Sequence, residues 1–138
     1  MNPLRQEFSR HVTQFRIARP TARLNEVVRF YRDGLGLCVI GSFEDHAGYS
    51  GVMLGLPDHE YHLEFTSHIE GSPCPAPSKD NLLVFYIPEQ EAINRLTERL
   101  SSMGHFAVAP ENPYWKEKGT TFEDPDGWRV VLMNTSGI

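Results

Sequence analysis

The run His62-Leu63-Glu64-Phe65-Thr66 places an imidazole two residues from a carboxylate. On a strand, residues two apart share a face, so His62, Glu64 and Thr66 point one way and Tyr61, Leu63 and Phe65 pack the other way, under a helix. An imidazole titrates near neutral pH and a carboxylate beside it tunes that titration, so His62 and Glu64 form a candidate general acid–base pair. His59 precedes His62 by three residues, a spacing that sends the two rings to opposite faces of a strand and argues against joint ligation of a metal. His46 and His68 lie nearby in sequence, while His11 and His105 carry no motif. Nucleophile-elbow, Walker-type and dinucleotide-binding fingerprints do not occur, and Gly34-Leu35-Gly36 lacks the preceding strand that the last of these needs. Tyr114 and Trp115 follow Pro110-Glu111-Asn112-Pro113, outside any hydrophobic run. Two readings stand for them: a stacking wall for a ligand, or an anchor holding the loop to the core.

The elements that position these residues form two similar halves. Leu24, Val27, Val28 and Tyr31 follow the i, i+3, i+4, i+7 spacing of an amphipathic helix, predicted over residues 21–33 and ended by Gly34. Strand-length runs surround it at 15–19, 37–43, 49–56 and 60–67. Residues 71–80 crowd Pro and Ser into a linker. Beyond it, 82–87 reads as a buried strand, and Pro88 opens a helix with Ile93, Leu96, Leu100 and Met103 on one face, ended by Gly104. Residues 105–109, 119–123 and 128–134 supply three further strand candidates, the last two joined by Asp124-Pro125-Asp126-Gly127, a tight-turn sequence. Trp128 alternates onto the helix side as a core residue. Gly36 and Gly104 lie 68 residues apart, Glu64 and Val131 lie 67 apart, and both spacings fit a repeated module. Leu4 and Phe8, at helical spacing near the start, suit a short docking helix.

Composition narrows the function classes. The 138 residues are 40% hydrophobic and 22% charged, enough for one domain over residues 1–138. Thirteen Lys and Arg against eighteen Asp and Glu give a formal charge of −5, so no broad basic field exists for nucleic acid or an anionic membrane surface. No apolar run approaches the roughly 20 residues of a membrane span, and the opening MNPLRQEFSR has no signal-peptide core. Two cysteines, Cys38 and Cys74, without an export signal are expected as thiols in a cytoplasmic protein.

The paired modules, with RIARPTARLNEVVRFYRDGLGL at 16–37, HLEFT at 62–66 and FEDPDGWRVVLMN at 122–134, resemble the vicinal oxygen chelate superfamily of glyoxalases, bleomycin-resistance proteins and dioxygenases. The resemblance implies an α+β fold of two βαβββ modules, at about 13–70 and 81–135, whose curled sheets form an open cleft. It also implies a homodimer, since many members pair. In metal-using members one ligand comes from the first and one from the last strand of each module. Those positions here are Arg16, Glu64, Leu82 (or Asn81, one residue earlier) and Val131. Only Glu64 is a competent ligand, because Arg keeps its proton and Leu and Val have no donor atom. The resemblance thus implies no metal cofactor, and places Arg16 against Glu64 where the metal would sit, either as part of a binding site or as a self-satisfying pair. By alternation, Arg16, Ala18, Leu82, Val84, Tyr86, Arg129, Val131 and Met133 would line the cleft with His62 and Glu64. Tyr114 and Trp115 fall where related binding proteins place a groove aromatic. The leading expectation is a protein that binds a small organic molecule, in a sequestering or resistance role. The alternatives are an enzyme of this fold, metal-dependent or transferring protons through Glu64 and His62, and a partner-binding domain.

Overall fold

β1 (Phe15–Pro20) enters α1 (Leu24–Val28) through a bend set by Thr21, whose hydroxyl accepts the Arg23 N–H. The helix therefore starts three residues later than its apolar spacing predicts. It continues as a π-helical segment (Arg29–Gly34), closed by the Leu35 N–H donating to the Phe30 carbonyl. The wider turn lets the adjacent Phe30 and Tyr31 both face inward with Val27 and Val28. Gly34 is needed for close approach, since a Cβ there would lie 2.6 Å from Leu100 Cδ2. The left-handed turn is made by Gly36, at φ +90°, and Gly104 has the same φ in the second half.

β2 (Cys38–His46), β3 (Tyr49–Gly55) and β4 (Tyr61–His68) complete a first sheet in the order β1-β4-β3-β2. After the linker come β5 (Leu82–Tyr86), α2 (Gln90–Ser102), a 3₁₀ turn (Pro113–Trp115), β6 (Gly119–Glu123) and β7 (Arg129–Met133), giving a second sheet in the order β5-β7-β6. Each module's first strand runs parallel to its last. Arg16 lies opposite His62 and Ala18 opposite Glu64; Leu82 lies opposite Arg129 and Val84 opposite Val131. The repeat thus extends to strand register. The strand predicted over 105–109 is reduced to one bridge, Val108 to Thr121. Pro110 has no N–H with which to extend a ladder, and the Ala109 carbonyl is taken by Arg129.

The structure, a computed structural model, describes residues 10–138. Leu4 and Phe8 lie outside the described residues. Val27, Phe30 and Tyr31 share one core with Ile93, Leu100, Phe122, Val130 and Leu132, so each module supplies half of the same interior. Arg99 Nε adds a hydrogen bond to the Gly34 carbonyl at 2.8 Å, and the Phe30 ring meets His105 edge-on. Each such apolar side chain contributes about 1.5–3 kcal/mol on burial, and neither module could keep that gain alone. Among the described residues no helix is long and apolar enough to cross a membrane.

Candidate functional site

β1 and β5 are edge strands, and a cavity of about 780 Å³ is lined by both. Phe15 and Ile17 of β1, Tyr61 and Leu63 of β4, and Phe85 and Tyr86 of β5 form much of its wall, with Leu35 and Leu96 from the helical layer. Apolar walls with a few polar groups are the ordinary make-up of a small-molecule pocket. Strand alternation predicts that Tyr61, Leu63 and Phe65 pack under a helix. Phe65 does, stacking on Tyr31 at 4.8 Å, but Tyr61 and Leu63 wall the cavity.

His62 is among the residues that line this cavity, and it is bonded to Arg16, which in turn pairs with Glu64 on the same face. Arg16 Nε donates to His62 Nε2 at 2.8 Å, and Arg16 Nη1 donates to Glu64 Oε2 at 3.3 Å. The parallel register explains the meeting: Arg16 sits directly across from His62, one strand over. Because Nε2 accepts the Arg16 hydrogen bond, the proton of the neutral imidazole resides on Nδ1. That Nδ1 is buried and has no hydrogen-bond partner among the described residues.

The remaining predicted residues are dispersed. Leu82, Val84 and Tyr86 line the cavity. Arg129 is buried, its Nε donating to Glu123 at 3.2 Å and its Nη1 to the Ala109 carbonyl at 2.8 Å. Val131 and Met133 are likewise buried and do not line the cavity, and Ala18 is exposed outside it. Tyr114 is exposed and meets Trp115 edge-on at 4.9 Å; neither reaches the cavity. His59 lines the cavity and its ring lies 5.2 Å from that of Tyr61. Cys38 is exposed and Cys74 half-buried, and they form no disulfide. Sequence reasoning passes over Phe15, Ile17 and Phe85. The available signal is that Phe15 and Ile17 share one face of their strand.

Sequence reasoning also misses a second cluster, which holds the modules together. Arg19 Nη1 donates to Asp126 Oδ2 at 2.9 Å and Nη2 donates to Asp124. The guanidinium carbon lies 4.8 Å from the Phe65 ring and 5.1 Å from that of Trp128. Asp124 also accepts the Tyr31 hydroxyl at 2.8 Å and the backbone N–H groups of Asp126 and Trp128, while Thr21 Oγ1 donates to Asp126 at 2.6 Å. Burial, reinforced by the Asp124 charge, pushes the Tyr31 hydroxyl well above its ordinary range. Burial also holds the Asp124 carboxyl above its ordinary value, against the pull of Arg19. The Asp-Pro-Asp-Gly turn is therefore an anchor between modules as well as a turn.

At the four positions that the resemblance assigns to metal ligands, Glu64 is the one side chain with a competent donor. At Arg16 a guanidinium faces Glu64, and Leu82 and Val131 have no donor atom. Among the described residues, no three or more His, Cys, Asp or Glu side chains are grouped to hold a metal ion.

Comparison with known proteins places this geometry. Residues 15–66 match the YycE-like N-terminal domain and residues 80–134 the YycE-like C-terminal domain. The uncharacterized protein YycE of Bacillus subtilis is 54% identical over 125 residues, covering 91% of this chain and 90% of its own. Its crystal structure, of a protein of unknown function in the glyoxalase/fosfomycin resistance group, superposes with a TM-score of 0.87 over 91% of this chain and 92% of that one. Glyoxalase I of Leishmania major (TM-score 0.68, 17% identity, 86% and 84% of the two chains) and TnmS3, an antibiotic binding protein from Streptomyces sp. CB03234 (0.63, 18%, 91% and 96%), share the fold. With two parallel-closed modules, a shared core and matches to both halves, the chain belongs to the YycE-like family, on the vicinal oxygen chelate fold.

Proposed function

We propose that this chain binds a small organic molecule in the cavity between its modules, without a divalent metal, as a sequestering or resistance-type protein. The carrying observation is the 780 Å³ apolar cavity with His62 in its wall. A fold shared with an antibiotic binding protein is consistent with such a role. The donor set at Arg16, Glu64, Leu82 and Val131 supports a metal-free site. A homodimer is part of the proposal: β1 is paired on one side only, a strand edge that a second copy would cover. A cytoplasmic location is supported by the two unbridged thiols, and the net charge of −5 argues against nucleic acid as a partner.

One observation favours a second reading, an enzyme that moves protons. Arg16 fixes the orientation and tautomer of His62, as a catalytic imidazole requires, and Glu64 lies within the same array. Native mass spectrometry of the untagged protein separates the two, since one spectrum reports subunit count, metal and retained organic adducts. The binding reading expects a metal-free dimer, with an adduct returned unchanged after incubation. Stoichiometric metal overturns it, and an adduct converted to a new mass selects the enzyme.

A further inference from the structure

We infer that the cavity takes an uncharged molecule made of an aromatic head on an aliphatic tail, the tail seated on a leucine floor and the head at an aromatic rim. The inference rests on the cavity reading and adds the ligand's chemical class. Three observations converge on it.

The first is that the wall is sorted by residue type and depth. Leu37, Leu54 and Leu132 line the cavity from the shared core and are at most 5% exposed, so they form its floor. Phe15, Tyr61 and Tyr86 line it from β1, β4 and β5 and are 44% to 61% exposed, so they form its rim. Aliphatic groups give undirected apolar contact, which suits a flexible tail. Rings favour another ring through stacked and edge contacts. The second is the order of residues along β1 and β4. In their parallel register Phe15 lies opposite Tyr61 and Ile17 opposite Leu63, a ring level followed by an aliphatic level. Burial rises in the same direction, from exposed Tyr61 through half-buried Leu63 to buried Phe65. All four residues of the two levels line the cavity, so a ligand lying along the strands meets rings first and aliphatic groups deeper. The third is charge. No Lys, Arg, Asp or Glu lines the cavity among the described residues. A carboxylate or ammonium seated there would lose its water without gaining a counter-charge.

Phenol, 4-ethylphenol, 4-butylphenol and 4-hexylphenol, all uncharged at pH 8, test this on the full chain by calorimetry, beside 4-butylbenzoate and 4-butylcyclohexanol. Each added methylene should tighten binding about fourfold, the equivalent of about 0.8 kcal/mol. The butylphenol should bind about two- to tenfold tighter than the saturated 4-butylcyclohexanol through its ring, and tighter than the benzoate. Tyr61→Ala should erase the preference for the phenol over the cyclohexanol and keep the methylene increment. Placement is read without any substitution from intermolecular NOE contacts: the terminal methyl of 4-hexylphenol should meet leucine methyls, and its ring protons those of Tyr61 or Phe15. The reverse placement, or no gain along the series, overturns the leucine floor as the seat of the tail. Equal or tighter binding of the benzoate overturns the uncharged class, and equal binding of the cyclohexanol overturns the aromatic head. Each of these outcomes leaves the cavity reading standing, whereas failure of every compound to bind overturns the cavity reading itself.

Discussion

Arg16 and Arg19 sit three residues apart on β1 and so project from opposite faces. Arg19 has 11% of its side chain exposed, is flanked by Phe65 and Trp128, and donates to two carboxylates of the other module. Arg16 is 44% exposed and holds one imidazole and one carboxylate of its own sheet. The contrast separates two uses of a guanidinium. Saturated on every side, it is a fastener whose loss strands other buried polar groups. Left half open, it orients a neighbour, here His62, and leaves that neighbour a hydrogen-bonding atom to spare.

The largest expected effect is at the fastener. Asp124→Ala removes the acceptor shared by Arg19, Tyr31 and two backbone N–H groups. Breaking a buried pair by removing one partner costs about 3–5 kcal/mol, and urea unfolding should show that loss in the midpoint at unchanged slope. A cost below 1 kcal/mol would mean that the Arg19 cluster is dispensable and the contrast empty.

Tyr31→Phe sharpens the same point through pH. Losing the hydroxyl's bond to Asp124 should cost about 1.5–3 kcal/mol near neutrality, the range for hydrogen bonds to charged groups. The folded protein holds the Tyr31 proton above the ordinary value of 10.0, so this stabilising contribution is fully present below that pH and is lost as pH rises toward the folded value. The unaltered protein should therefore lose up to about 1.4 kcal/mol per pH unit above pH ~10 from this one proton. Tyr31→Phe should lack that component. Parallel stability curves for the two proteins across pH 9–11 would rule it out.

Two glycines, one at the end of each helical region, give smaller and separable effects. Gly34→Ala forces a Cβ to within 2.6 Å of Leu100 Cδ2, an overpacking worth about 1–3 kcal/mol. Gly104→Ala meets no atom within 4 Å but must adopt φ +90°, at a cost of about 1 kcal/mol. A space-making swap, Leu100→Val, should recover part of the first loss and none of the second.

How much of this was legible in the sequence follows from the range of each signal. Local periodicity locates the seven strands, β6 with the observed bounds, while adding one at 105–109 that is a single bridge, and the Gly36–Gly104 spacing reveals a repeat whose φ angles agree. Periodicity cannot show the π turn, because Phe30 and Tyr31 fit different helical stripes until the turn widens. The HLEFT alternation brings out His62 and Glu64 as neighbours on one face, but an apolar face reads as core whether a helix or a cavity lies against it. Tyr61, Leu63 and Phe65 alternate identically, and only the placement of the second module makes the first two a wall. Arg19 and Asp124 lie 105 residues apart, with no local pattern joining them.

The smallest stability effect is expected at Arg16, and it is the one that tests the orienting role. Arg16→Met keeps the apolar stem and removes an ion pair whose arginine side is half open to water, a change worth about 0–1 kcal/mol. Its consequence should fall on His62 instead. Without the Nε donor nothing fixes Nε2 as the acceptor, so the Nδ1–H tautomer should lose its dominance in ¹⁵N-histidine spectra while the unfolding midpoint scarcely moves. Glu64→Gln, which leaves the Arg16–His62 bond in place, should preserve the tautomer. If Arg16→Met instead destabilised the chain as far as Asp124→Ala, the two arginines would be equivalent fasteners, and His62 would owe its orientation to packing alone.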